Sequence, residues 1–179
     1  MSPAPDAHVV QLYDDRRSLV EAVTASTGCA LLHGEAALVL ATPDHRAELA
    51  EALTRGGLAV GRLRLSGQYA ELDAESVLAW ASGRDGELDA TLLVEALDDQ
   101  LGRQTRRWRR VCVYSDLVSC LWGRGDVLGT LRLEGAWNEL VRTRPVRLHC
   151  GYDSAGFADS GSADQALQVL TAHSDVRST

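Results

Sequence analysis

The chain predicts a three-layer α/β domain, a mostly parallel central sheet of about five or more strands flanked by helices. Two observations carry that prediction. Apolar runs alternate with helix-period patterns along the whole length, the order that parallel strands joined by crossover helices require. One of those runs, Ala36-Ala37-Leu38-Val39-Leu40-Ala41, is apolar without interruption, as a strand covered on both faces must be.

Taken in order, His8 to Tyr13 predicts a first short strand. Asp14-Asp15 follow it, then a helical stretch carrying Leu19, Val20 and Val23. After the second strand at 36–41, Thr42 suits a helix N-cap, Pro43 the first helical position and Asp44 the positive end of the dipole. Leu49, Ala50 and Leu53 give that helix its apolar face, and Gly56-Gly57 stop it. A third strand is expected in Leu58 to Leu65. Asp73 can cap a short helix through Trp80, and Leu92, Leu93, Ala96, Leu97 and Leu101 mark a longer one. Val111-Cys112-Val113-Tyr114 predicts the fourth strand, with helices over 116–123 and 126–142. Val146, Leu148, Cys150 and Tyr152 then alternate as a fifth. A loop-like stretch over 153–164 leads to a last helix over 163–172, and a polar end follows His173.

At 179 residues and 19.3 kDa the chain is read as one domain over 1–179, with a core from 8 to 176 and short termini. It contains no apolar run long enough for a membrane span. Its first residues hold neither a basic nor an apolar leader segment, so a cytoplasmic location is expected. With 25 acidic against 18 basic residues the net charge is −7, which disfavours nucleic acid and anionic membranes as partners. All basic residues are arginine and lysine is absent, a compositional bias that makes arginine number no evidence of phosphate recognition.

In a parallel α/β sheet, ligands sit beyond the carboxyl ends of the strands. The expected ends are Tyr13-Asp14-Asp15-Arg16, Thr42-Pro43-Asp44-His45, Ser66-Gly67-Gln68, Ser115-Asp116 and Asp153-Ser154. No phosphate-binding loop is present there: the turn after the first strand offers no glycine, and without lysine the GxxxxGK[ST] pattern cannot occur. GxGxxG, GxSxG and HExxH are absent too. Cys29, Cys112, Cys120 and Cys150 show no CxxC spacing and are read as reduced core thiols. Cys29 and His33 lie four apart, and His149 and Cys150 are adjacent and so point to opposite faces of a strand. Those pairs are read as packed cysteines and partly exposed histidines, not as a metal site. In Leu133-Glu134-Gly135-Ala136-Trp137-Asn138, a helical glycine is costly. One account lets Gly135 admit a close neighbour while Trp137 and Asn138 face a pocket; the other makes Trp137 core and Glu134 solvated or paired.

Several of these segments together resemble the MEDS sensory domain of methanogen and methylotroph sensors and the dichloromethane-responsive regulator. The resemblance rests on His8-Val9-Val10-Gln11-Leu12-Tyr13-Asp14-Asp15, Gly34-Glu35-Ala36-Ala37-Leu38-Val39-Leu40-Ala41-Thr42-Pro43 and Leu121-Trp122-Gly123-Arg124-Gly125-Asp126. It continues through Leu133-Glu134-Gly135-Ala136-Trp137-Asn138-Glu139-Leu140, His149-Cys150-Gly151-Tyr152 and Ala172-His173-Ser174, covering nearly the whole chain. It implies a RecA-like fold without a Walker A loop, a degenerate relative of the circadian-clock ATPases, and regulation rather than catalysis. Where the family often has Gly-Glu after the fourth strand, this chain has Ser115-Asp116, a carboxylate shortened by one methylene.

The expected function is therefore a stand-alone cytoplasmic sensory or regulatory domain that binds a small molecule, apolar ones included. Tyr13, Asp14, Asp116, Trp137 and Asn138 are the expected ligand-binding residues, with no catalytic residue, metal ligand or cofactor. Lacking an output domain, the chain would signal through a regulatory protein partner (a kinase, an anti-sigma-type protein or a transcription factor) or as a homodimer. The alternative is a ligand-free adaptor in a transcriptional partner-switching pathway.

Overall fold

A computed structural model describes residues 8–83, 87–155 and 163–178. Their elements run β1 (His8–Tyr13), α1 (Arg16–Leu32), β2 (Ala36–Ala41), α2 (Pro43–Arg55), α3 (Val60–Ser66), β3 (Tyr69–Asp73) and α4 (Ala74–Ala81). Then come α5 (Ala90–Arg107), β4 (Val111–Ser115), α6 (Leu117–Gly123), α7 (Val127–Thr143), β5 (Val146–Asp153), α8 (Ala163–Thr171) and β6 (Asp175–Ser178). The six strands form one sheet in the order β3-β2-β4-β5-β1-β6, and every neighbouring pair is parallel.

Strand alternation divides the core into two layers. Ala36, Leu38 and Leu40 of β2 join Val113 of β4 and Leu148 and Tyr152 of β5 beneath α4, α5, α6, α7 and α8. Ala37, Val39 and Ala41 point the other way, against Leu19 and Val23 of α1 and Leu49 and Leu53 of α2. This two-sided burial is why β2 is apolar throughout. The helices begin where short acidic side chains can accept the free N–H groups of a first turn. Asp15 accepts from Ser18 N at 2.9 Å, Asp73 from Ser76 N at 2.9 Å and Asp126 from Gly129 N at 2.8 Å. Among the described residues no helix is long and apolar enough to cross a membrane.

Two strands differ from the expectation. Leu58 to Leu65 is not a strand, since α3 occupies Val60–Ser66 and the third strand is Tyr69–Asp73. The apolar alternation in that segment has no second layer to cover it, and Leu65 remains 92% exposed. Gly67, at φ +77°, turns the chain out of α3 into β3. Consequently Ser66-Gly67-Gln68 stands at the amino end of β3, and the carboxyl end is Asp73. The polar end after His173 is also not a plain flank, because Asp175–Ser178 pairs with β1 as an edge strand. Gly135 is a third correction. Its position is exposed and an ideal Cβ there meets nothing within 4 Å, so it admits no close neighbour. The loop-like stretch expected over 153–164 falls partly on 156–162, outside the described residues.

Candidate functional site

Buried polar side chains gather at both ends of the sheet. At the carboxyl end, Asp116 follows β4 directly beside the end of β2, and its backbone N–H donates to Leu40 O at 2.8 Å. Its carboxylate is 3% exposed. Oδ1 accepts from the Tyr114 hydroxyl; Oδ2 lies 2.6 Å from His45 Nδ1 and accepts from Thr42 N at 3.2 Å. The stop at Thr42 and the early turn of α2 deliver both groups to the end of β4. Tyr13 closes β1 in the same neighbourhood. Burial pushes its phenol above the usual range, and the charges of Asp116 and Asp153 add to the shift against a Ser119 hydrogen bond. Asp14 is exposed in the turn before α1. The arrangement holds a carboxylate among donors and joins β2, β4 and α2. The Ser115 hydroxyl accepts from Leu117 N at 3.3 Å, a helix-start contact with no base behind it.

Trp137 and Asn138 are not part of that end. Trp137 is 1% exposed in the larger core layer. Asn138 touches His8, the first residue of β1, roughly 16 Å along the strand from Tyr13. The five expected site residues therefore split: Tyr13 and Asp116 stand at the carboxyl end, Asp14 is exposed nearby, Trp137 lies in the core and Asn138 at the amino end of β1.

The amino-end cluster is built from four distant segments. β1 and β5 are neighbours with Val10 opposite Cys150, so His8 and Cys150 share one face of the sheet. Glu134, Trp137 and Asn138 sit at i, i+3 and i+4 on α7, the side that packs on that face. His173 follows α8, where Ser174 Oγ donates to His8 O at 2.7 Å and His8 N donates back to Ser174 Oγ at 3.0 Å. The Asn138 amide N donates to Ala172 O at 2.9 Å, which leaves Oδ1 to accept from His8 Nδ1 at 2.9 Å. His173 Nδ1 donates to Val169 O at 2.8 Å. Both imidazoles thus carry a proton on Nδ1 and turn Nε2 inward.

Inward of them lies Glu134, 1% exposed. Its Oε1 accepts from the Tyr152 hydroxyl at 2.6 Å, while Oε2 stands 3.3 Å from His8 Nε2 and 3.4 Å from His173 Nε2. Cys150 Sγ lies 3.5 Å from His8 Nε2. Burial pushes the Cys150 thiol and the Tyr152 phenol well above their usual ranges, with the Glu134 charge adding to both. Burial also pushes His173 down, against the pull of Glu134, which favours its neutral form. A cavity of about 310 Å³ opens beside the cluster, lined by His8, Asn138, Val141, Ala172, His173 and Ser174 among others.

Cys150 is buried as expected, but the cluster around it was not foreseen. The expectation of packed cysteines and partly exposed histidines in the Cys29/His33 and His149/Cys150 pairs fails at His149, 5% exposed, and at Cys29, which is exposed. His149 points to the opposite face, as adjacent strand residues must, and faces Ser26 Oγ at 3.3 Å. His8, Glu134, Cys150 and His173 are too far apart in sequence for any spacing motif. The available signal was that each is a polar or thiol residue inside one of the segments that carry the family resemblance.

Sheet order, two helical layers and buried polar clusters in a chain without lysine define the class: a parallel α/β domain that has no phosphate-binding lysine loop. The family model of the MEDS domain, the methanogen/methylotroph, DcmR sensory domain, matches residues 7–174. The chain belongs to that family, and its role is of the sensory type. No curated protein matches the chain.

Proposed function

We propose that this chain is a non-catalytic sensory module that binds a small molecule in the cavity beside His8, Asn138 and His173. One observation carries the reading. A cavity of about 310 Å³ is bounded by the buried His8, by the half-buried Asn138 and His173 in hydrogen-bonded orientations, and by the segment that leads into β6. That volume is at the small end of ligand pockets. The groups on its wall are also the ones that hold the segment leading into β6, through Asn138 to Ala172 and Ser174 to His8. A molecule that competes for those hydrogen bonds shifts the population between β6 docked and β6 released from β1. A kinase, anti-sigma-type protein or transcription factor that reads the β6 edge then receives the signal. The expected pocket moves from the carboxyl rim to the amino end of β1, retaining Asn138 from the sequence-derived set.

Native mass spectrometry of the chain purified from its own host tests this, alongside a denatured control and a Val141→Trp variant that fills the cavity. The reading expects a discrete organic mass, lost on denaturation and absent from the variant. A bare chain that carries a stoichiometric protein partner instead makes it a ligand-free adaptor.

A further inference from the structure

We propose that His8, Glu134, Cys150 and His173 form a four-ligand site for a tetrahedral divalent cation, zinc being the occupant that the donor set fits. The site shares His8 and His173 with the wall of the ligand cavity, but the proposal does not require that the cavity takes an organic molecule.

The geometry is the first argument. The four donor atoms, two imidazole Nε2, one carboxylate oxygen and one thiol sulfur, all lie within 4.8 Å of one another. In a tetrahedron with nitrogen and oxygen at about 2.0–2.1 Å and sulfur at about 2.3 Å from the metal, neighbouring ligand atoms stand about 3.3–3.6 Å apart. Three edges here measure 3.3, 3.4 and 3.5 Å.

Orientation is the second. A ligating imidazole commonly donates its other N–H to a carbonyl or an amide, which fixes the tautomer and aims the lone pair. His8 does so to Asn138, itself locked by Ala172, and His173 does so to Val169. Tyr152 occupies one oxygen of Glu134 and leaves the other for a single metal bond. Among the described residues Glu134 Oε2 and His173 Nε2 are buried without a hydrogen bond, 3.4 Å from one another, a costly arrangement in a protein interior unless something else satisfies them.

Charge is the third. Glu134 is 1% exposed, and a buried carboxylate is favourable only beside positive charge. A divalent cation entering with Glu134 as carboxylate and Cys150 as thiolate makes the set neutral overall. In that step the S–H bond breaks, the sulfur–metal bond forms and the proton leaves to solvent, with no change of oxidation state. Imidazole and thiolate together select zinc over magnesium or calcium, which prefer all-oxygen sites. Four protein ligands leave no open position, so the ion would act as a clasp joining β1, α7, β5 and the segment between α8 and β6.

The test uses the full chain, stripped of metal with a chelator and titrated with Co²⁺ and then Zn²⁺. The proposal expects one Co²⁺ per chain, a thiolate-to-cobalt charge-transfer band and the strong visible bands of tetrahedral cobalt, all lost when one equivalent of zinc is added. Cys150→Ser should remove the charge-transfer band. His173→Gln, near the end of the chain, should weaken zinc binding at least tenfold while leaving the far-ultraviolet circular dichroism of the metal-free protein unchanged. Asn138→Ala, which frees the His8 ring, should weaken it 10- to 100-fold. Cys29→Ser should change nothing. No stoichiometric cobalt on the wild-type chain, or a band that survives Cys150→Ser or vanishes with Cys29→Ser, would overturn it.

Discussion

Gly151 of β5 packs against the side chain of Tyr114 so closely that an ideal Cβ at 151 would sit 3.0 Å from the Tyr114 hydroxyl and 3.1 Å from Leu19 Cδ1. The missing side chain is what lets the phenol lie across β5 and reach Asp116. Gly151→Ala should cost about 1–3 kcal/mol, the usual range for forcing an extra carbon into a packed interior. Tyr114→Phe removes the obstructing oxygen and should cost about 1–2 kcal/mol alone through the lost hydrogen bond. Urea unfolding of the double variant should show less than the sum of the two losses. Strict additivity would mean that the contact does not limit the site.

Trp137 lies wholly inside the larger core layer, so its removal leaves a cavity rather than an open pocket wall. Trp137→Ala should lower stability by about 3–5 kcal/mol. A loss below about 1 kcal/mol by denaturant titration would return Trp137 to the pocket-facing role that the sequence left open.

His149 sets an acid limit on stability. Burial, with the charge of Arg177 adding to it, pushes it from 6.5 down to about 4. Around it stand Ser26, the Tyr114 ring and a cavity lined by Arg147, Arg177, Cys29 and Cys112, with no carboxylate among them. The folded chain keeps the ring neutral while the unfolded chain takes up a proton below pH 6.5. This contribution is therefore complete above pH 6.5 and lost as the pH falls toward 4. His149→Gln should flatten the stability profile over that window, by up to roughly 3 kcal/mol at its acid end. Parallel profiles for the two proteins would remove His149 from the account.

The thiols should separate by reactivity. Cys29 is exposed, whereas burial pushes Cys112 up to about 11 and Cys120 up to about 12. Cys150 is buried and raised well above its usual range. A disulfide reagent near neutral pH should modify Cys29 rapidly and the others only on unfolding, since the thiolate is the reacting form. Rapid loss of a second thiol in the Cys29→Ser variant would contradict the burial of Cys112 and Cys150 and the partial burial of Cys120.

Much of the fold was legible because its signals are local. The apolar run of β2, the cap at Asp73 and the spacing of Leu93, Leu97 and Leu101 each report on neighbours a few residues away, and each fell where the structure has it. The misread segments are the ones where that logic fails. Leu58 to Leu65 alternates like a strand, yet no partner layer covers both of its faces. The polar residues of β6 show no periodicity because an edge strand can be held by backbone hydrogen bonds to a single neighbour.

The site divides along the same line. The sequence by itself determined a parallel α/β class, the buried strands, most helix starts and the family, because hydrophobic period and capping chemistry are written within single segments. Only the tertiary structure decided that Asn138 belongs with His8 rather than with Tyr13, and that His8, Glu134, Cys150 and His173 converge. Crossover connections bring together residues as far apart as His8 and Ser174, 166 positions from one another. Which end of a strand each helix reaches depends on strand order and register, and those are set by packing across the whole sheet.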